Sequence, residues 1–375
     1  MRIGVDVSPL VGNLTGIGRY THEVLKRLIE SGHEWFLYSH DHIDANYTER
    51  TNVHLRLVKT FRFLPRIVSV QTTIPLQANL DKVDLFWSPT HRLPTLLSKK
   101  IARVLTIHDL VWKRAGETMR PLNRFLDATL MPEGIRIADR IIAVSEHTAF
   151  DLKTEFPTSR HKIRTIPLGV SSPFTAAPRE SLASMGLTGQ YFLFVGTLEP
   201  RKNLGRLISA FSALPQRLRE QVCLVIAGGD GWGGVNVASI AERFGVERNI
   251  RVLGYVSEEQ LATLYSHALF LAMPSLYEGF GLPLLEAMAR GIPVLASDCS
   301  SMPEVVGNAG VLVDPHDVSS IVKGLVEILE NGARRSELSK LALLNASRFS
   351  WDKAAKETLE VFEDAIEIRK KLVGF

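Results

Sequence analysis

Residues 269–298 read LFLAMPSLYEGFGLPLLEAMARGIPVLASD. The stretch opens on an apolar run of strand length, Leu269–Met273, and closes on another, Val294–Ser297. Between them Pro283–Arg290 has helical character, with Pro283 suited to the first helical position and Gly291 to the C-terminal cap. Strand, helix and strand in that order make a βαβ unit. Runs that are apolar throughout, instead of alternating, belong to strands buried on both faces of a parallel sheet.

The same alternation extends in both directions. Toward the N-terminus, strands are expected at Arg2–Ser8, Glu34–Ser39, Val53–Val58, Leu85–Ser88, Arg103–His108, Arg140–Val144 and Ile163–Pro167. The second half adds Tyr191–Val195, Val222–Ala227, Arg251–Leu253 and Gly310–Val313 to the two already named. Helical patterns fill the gaps, among them Gly18–Ile29, Gly134–Ala138, Asn203–Ala213, Ser257–Ser266, Val318–Glu330 and a long tail from Asp352 to Leu372. The fold class is therefore α/β. The pattern thins between residues 168 and 188, where Pro173 and Pro178 stand among small polar residues. This divides the chain into a domain over 1–168, a linker over 169–188 and a domain over 189–355, each a doubly wound sheet. Ligands of such sheets bind beyond the carboxyl ends of the strands, so two facing sheets place the ligand in a cleft between domains.

A chain of 375 residues is long enough for two such domains. With 45% apolar and 22% charged residues it is neither disordered nor fibrous. No apolar run approaches the roughly 18 residues of a membrane span, and MRIGVDVSPL enters a strand without the apolar core of a signal peptide. Two cysteines, Cys223 and Cys299, fit a reducing, cytoplasmic compartment and cannot form a four-thiolate metal site. The net charge of +4 is unevenly spread. Residues 1–175 hold 24 basic and 17 acidic side chains, a net of +7, against −3 for the remainder. Arg50, Arg56, Lys59, Arg62 and Arg66 fall in a stretch without acids, interleaved with apolar residues as TFRFLPRIVSV. That pattern is either a solvated surface or a patch for an anionic membrane or acceptor, and it suits an interfacial segment better than a nucleic-acid arm.

Four segments carry chemistry. GNLTGIGRYT follows the first strand, and Gly16 and Gly18 there allow backbone N–H groups near an anion, although the third glycine of a dinucleotide fingerprint is missing. In VLTIHDLVW, His108 stands at a strand end, as either a hydroxyl-binding or acid–base group or a hydrogen-bonded structural histidine. In VGTLEPRKNLGRL, Arg201 and Lys202 lie beside a helix start, a fork and a point charge suited to a diphosphate. In the opening stretch, Glu278-Gly279-Phe280-Gly281 form a loop able to turn backbone donors toward an anion. Glu278 and Glu286 then offer carboxylates to the vicinal hydroxyls of a sugar or ribose. AGGDGWGG lacks the Lys-Ser/Thr of a P-loop, and Glu304 in DCSSMPEVV fits a structural or peripheral role. No Asp-x-Asp, the usual metal holder beside a diphosphate, occurs anywhere.

Together these segments resemble the retaining glycosyltransferases of family 4, of GT-B fold. The resemblance spans nearly the whole chain. EGFGLPLLE, with Glu278 and Glu286 eight residues apart, and VGTLEPRKNL carry it most specifically, with Gly16-Ile17-Gly18, His108 and Ala143-Val144-Ser145 in support. The phrases GNLTGIGRY and GTLEPRKN look most like bacterial GDP-mannose-dependent mannosyltransferases of O-antigen and exopolysaccharide assembly. The resemblance implies that Arg201 and Lys202 bind the donor diphosphate, with backbone N–H groups of Gly16, Gly281 and Leu282. It implies that Glu286 holds the ribose, and that Glu278, His108, Gly279 and Phe280 contact the donor sugar, Glu278 and His108 as the catalytic pair. It implies retention of configuration without a metal or other cofactor, and a last helix, 356–375, that crosses back to the first domain. The implied acceptor is a glycan or a polyprenyl-diphosphate-linked glycan, reached by peripheral contact of the basic domain with the inner membrane's cytoplasmic face. A donor other than GDP-mannose stays open, as do a nucleotide-sugar epimerase, a nucleotide-sugar sensor and a dinucleotide oxidoreductase.

Overall fold

The computed structural model describes residues 1–12, 14–43, 46–58, 66–171 and 178–374. Lys59 and Arg62 of the basic stretch, Asn13 of the glycine segment and Pro173 of the expected linker lie outside the described residues, as does the side chain of Arg66. The chain forms two compact units. One comprises Met1–Trp112, Pro121–Gly169 and Ser350–Phe375; the other comprises Lys113–Arg120 and Val170–Phe349.

The first unit holds a seven-stranded sheet made of β1 (Arg2–Asp6), β2 (Glu34–Ser39), β3 (Val53–Leu57), β4 (Leu85–Ser88), β5 (Ala102–Ile107), β6 (Arg140–Ala143) and β7 (Ile163–Thr165). Its order is β3-β2-β1-β4-β5-β6-β7, and every pairing is parallel. The second holds β8 (Gln190–Val195), β9 (Val222–Ala227), β10 (Ile250–Gly254), β11 (Leu271–Met273), β12 (Val294–Ser297) and β13 (Gly310–Val313), ordered β10-β9-β8-β11-β12-β13. These pairings are parallel as well. Each expected strand is present, with ends displaced by no more than two residues. β4, β5 and β11 are buried at every position, which is why their sequences are mostly apolar on both faces, with Ser88, Arg103 and Thr106 as the buried polar exceptions. In the second unit Phe192 stacks on Phe270 with ring centroids 5.0 Å apart, inside a core that includes Phe211, Leu325 and Ile328. Each such fully buried side chain contributes roughly 2–3 kcal/mol of burial free energy.

Both strand orders reverse at one place, between β1 and β4 and between β8 and β11. At such a point the connecting helices depart to opposite faces of the sheet and leave a crevice beyond the strands' carboxyl ends.

The structure departs from the sequence reading in three places. Helix Pro121–Ile137 has 17 residues, where only 134–138 was expected. Its first half presents Leu122 and Phe125 to solvent, each 65% exposed, so no apolar stripe marks it. The last helix, Trp351–Val373, matches the expected Asp352–Leu372 within one residue, but the chain returns to the first unit already at Ser350 and not at 356. Trp351 is buried there, and Arg27–Asp352 (2.5 Å), Arg140–Asp364 (2.5 Å) and Arg369–Asp139 (2.7 Å) pair along the helix. Finally, the units change over directly after Gly169, and Arg179–Met185, inside the expected linker, is a 3-10 segment of the second unit. Lys113–Arg120 also goes with that unit, where the Trp232 indole donates to the Thr118 carbonyl (2.5 Å).

Candidate active site

β8 and β11, the strands flanking the reversal in the second unit, carry the segments with the strongest sequence signal. Beyond Val195 the chain passes Gly196 and reaches the 3-10 turn Pro200–Lys202. Asn203 then takes a left-handed conformation (φ 61°) and starts helix Leu204–Ser212. Asparagine tolerates that conformation, and here its amide has a second task. Nδ2 donates to the carbonyls of Pro274 (2.9 Å) and Pro315 (2.7 Å), which pins the Arg-Lys turn to the loops after β11 and β13. The glycine-rich AGGDGWGG segment after β9 explains itself by proximity to the same turn. A Cβ on Gly228 (φ 157°) would lie 2.0 Å from the Gly196 carbonyl oxygen, so these glycines let two neighbouring loops touch.

The loop after β11 brings Glu278 onto the basic pair. Its Oε2 accepts from Arg201 Nη1 at 2.6 Å and its Oε1 from Lys202 Nζ at 2.7 Å. Arg201 also donates to the Tyr277 carbonyl (2.8 Å), and Glu199 lies 3.6 Å from its other terminal nitrogen. Lys202 and Glu278 are both buried. Burial alone would raise the Glu278 carboxyl, but the charges of Arg201 and Lys202 overcome it and hold the group down to about 2. Glu278 is therefore a carboxylate at any working pH: an acceptor and counter-charge, not a proton donor. Burial pulls the Lys202 ammonium down, and Glu278 opposes that pull.

The loop is fixed from below by two serines that the sequence reading passed over. Ser300 accepts from the Glu278 N–H (3.0 Å), and Ser301 donates to the carbonyls of Glu278 (2.9 Å) and Phe280 (3.0 Å). Phe280 itself faces inward, its ring edge-on to Phe349 at 5.7 Å, so its side chain serves the core rather than a ligand. Gly281 (φ 102°) caps helix Leu282–Met288, which makes Pro283 the second helical residue instead of the first. Glu286, on that helix, accepts from the Tyr265 hydroxyl at 3.0 Å. Glu304 sits in the short helix Met302–Val306. The second unit thus brings Arg201, Lys202 and Glu278 into one ion cluster, with Gly279, Gly281 and Leu282 on the same loop and helix start and Glu286 further along the helix.

Gly16 and His108 belong to the first unit. Gly16 opens helix Gly16–Leu28, capped by Thr15, whose hydroxyl accepts from Gly18 N–H (3.4 Å). Gly18 is required by packing, since a Cβ there would meet the Pro9 carbonyl oxygen at 2.6 Å. His108 follows β5 and is 8% exposed. Its Nε2–H donates to the Pro89 carbonyl at 2.8 Å in the segment after β4, beside the reversal point, and the Tyr20 ring stands edge-on at 4.9 Å. That bond makes Nδ1 the accepting nitrogen of the neutral ring. Burial first, then the neighbouring His91, lowers His108 to about 4. A neutral imidazole so held can accept from a hydroxyl, but does not carry a proton at neutral pH. The sign of the stability effect follows. The group stabilises the fold fully above the unfolded value of about 6.5, and loses roughly 3 kcal/mol as the pH falls to about 4. The difference in unfolding free energy between wild type and His108→Asn, measured by denaturant titration, should be constant above pH 7 and shrink over that window. A difference constant down to pH 4 contradicts it.

Among the described residues, no three His, Cys, Asp or Glu side chains are grouped as a metal site, and no helix is long and apolar enough to cross a membrane. The profile described as Glycosyltransferase Family 4 matches residues 14–172, and the one described as Glycosyl transferases group 1 matches residues 186–344. O-antigen chain mannosyltransferase B of Escherichia coli is 31% identical over 97% of this chain and 100% of its own length. The chain belongs to glycosyltransferase family 4. This glycosyltransferase has two Rossmann-like domains of the GT-B kind. Sucrose-phosphate synthase from Thermosynechococcus elongatus (TM-score 0.79, 18% identity, 98% of this chain and 100% of that one) shares the fold. So does WaaG, a glycosyltransferase involved in lipopolysaccharide biosynthesis (TM-score 0.78, 18% identity, 96% and 99%).

Proposed function

We propose that this glycosyltransferase moves a mannosyl group from GDP-mannose to a glycan, free or linked to polyprenyl diphosphate, in polysaccharide assembly. The Arg201–Lys202–Glu278 cluster beside the β8/β11 reversal carries the reading, because a half-buried and a buried cation side by side suit a departing diphosphate. The mannosyl choice rests on likeness to O-antigen chain mannosyltransferase B along the full length of both chains.

In this reading Arg201 and Lys202 bind the diphosphate and neutralise the charge that grows as the glycosidic bond breaks, with backbone N–H groups of Gly16, Gly281 and Leu282 as further donors. Glu286, oriented by Tyr265, takes the ribose hydroxyls. Glu278, permanently ionised, faces the sugar and offsets positive charge at the anomeric carbon, and His108 Nδ1 accepts from a sugar hydroxyl. Gly279 contributes its backbone to the sugar subsite. Configuration is retained, and the two cations fill the place of a metal. The basic half of the chain meets the inner membrane's cytoplasmic face peripherally, a contact that a high-salt wash of membranes would release.

A panel of GDP- and UDP-sugars, with nucleoside diphosphate release followed with and without lipid extract, tests the donor. GDP-mannose should be consumed fastest, and only with an acceptor present. Consumption without acceptor would favour an epimerase, and preference for a UDP-sugar would overturn the donor assignment. EDTA should leave the rate within about twofold, whereas loss restored by a divalent ion would contradict the role given to the cations.

A further inference from the structure

The first unit has a second basic site, at the opposite end of its sheet from His108. A pocket of about 760 Å³ opens where β5, β6 and β7 begin. Lys99, Arg103, Arg136, Arg140, Lys162 and Arg369 line it, with His161 and one acid, Asp139; of these cations Arg136 is paired outside the lining with Glu133 (2.6 Å) and Arg140 with Asp364 (2.5 Å), which leaves Lys99, Arg103 and Lys162 without an ion-pair partner among the described residues. That acid is already engaged, by Arg369 at 2.7 Å and by the Arg103 backbone N–H at 2.8 Å.

Arg103 is the informative member. It is 8% exposed, and among the described residues no carboxylate lies within ion-pair distance of its side chain. Nη2 donates to the carbonyls of Leu97 (2.9 Å) and Ser98 (3.3 Å), while Nε is buried without a hydrogen-bond partner. A buried guanidinium left without an anion is costly, and so is a buried donor without an acceptor. Lys162 adds to the strain, since its Nζ is held against the Arg136 carbonyl (2.8 Å) among cations. Burial lowers Arg103 and Lys162 alike; like-charged neighbours, Arg369 among them, add to it, and Asp139 opposes it. Ile137, Ile368 and Leu372 supply apolar surface to the same lining. Along β5, Arg103 and His108 are five residues apart, about 16 Å at the rise of an extended strand.

We propose that this pocket is an anion site, separate from the donor site, that takes the phosphate or diphosphate group of a ligand whose less polar part rests on Ile137, Ile368 and Leu372. The anion would complete the charge balance of Arg103 and relieve the repulsion around Lys162. The same chemistry is presented by an anionic phospholipid headgroup and by a soluble phosphorylated metabolite.

The test uses inorganic pyrophosphate titrated calorimetrically into the full chain carrying Arg201→Ala, Lys202→Ala and Glu278→Gln, which removes the cluster proposed to bind donor. One equivalent should still bind. Adding Lys99→Met, Arg136→Gln and Lys162→Met should weaken it about tenfold or more, with the melting temperature little changed. Lys99→Met with Arg136→Gln alone, both exposed positions, gives a smaller loss in the same direction and avoids risk to the fold. Absence of binding, or binding indifferent to these changes, overturns the site. A second arm sediments the chain with phosphatidylglycerol-containing or pure phosphatidylcholine vesicles. Pelleting that requires phosphatidylglycerol and is lost in the variants identifies a lipid headgroup; pyrophosphate binding without it identifies a soluble ligand. Failure here leaves the donor assignment untouched, because that cluster is absent from the test chain.

Discussion

Replacing Arg201 and Lys202 together by alanine should lower glycosyl transfer about a thousandfold or more, measured as nucleoside diphosphate release at saturating donor. The two cations lie within 2.7 Å of one buried carboxylate, and the assigned leaving group has no other neutralising partner of comparable charge in the second unit's cluster. The double change also strands Glu278. Without its cations the carboxyl keeps burial as the largest influence, opposed only by the weaker Ser275 hydrogen bond, so it should rise well above about 2. An unpaired buried charge of this kind costs about 3 kcal/mol near neutral pH, and part of that returns as the pH falls and the group takes a proton. Adding Glu278→Gln should restore most of the lost stability while transfer stays abolished. That split between melting temperature and turnover separates a catalytic loss from unfolding. A folded double variant with normal transfer would remove the diphosphate assignment.

The parallel sheets were legible because strands buried on both faces, such as β9 and β11, are apolar at consecutive positions. The pairing order was not, since no local pattern says that β8 lies beside β11. The ion cluster was half legible. Arg201, Lys202 and Glu278 each stood out by position after a strand, but Lys202 and Glu278 lie 76 positions apart in the chain and no local pattern joins them. What holds them there was missed for the same reason. Asn203 bridges two loops, Ser300 and Ser301 carry the Glu278 loop, and Tyr265 reaches Glu286 from another helix. The one local signal was Asn203 itself, an asparagine directly before a helix whose left-handed backbone few other residues accept. Phe280 shows the converse limit. Its place between two glycines drew attention to the loop, yet its ring is needed against Phe349. Helix Pro121–Ile137 escaped because its exposed Leu122 and Phe125 break the periodicity by which helices are read.

Glu278→Gln should separate donor binding from turnover. The carboxylate occupies both cations, at 2.6 and 2.7 Å, and a second acid, Glu199, lies 3.6 Å from Arg201. A diphosphate entering this cluster has to share Arg201 and Lys202 with Glu278, a like charge. Glutamine keeps the shape but removes that competition, so GDP should bind equally well or several-fold more tightly. Turnover should nevertheless fall about a hundredfold or more, because the amide no longer offsets positive charge developing at the anomeric carbon. The unliganded variant should also be less stable, with two cations left near a neutral side chain, and saturating GDP should raise its melting temperature more than that of the wild type. Calorimetric titration with GDP, steady-state transfer rates and melting curves with and without GDP read these three effects. A tenfold loss of GDP affinity would mean that Glu278 organises the cations for the diphosphate rather than competing with it. The fall in turnover would then be a binding defect, and the sugar-facing role would pass to another group.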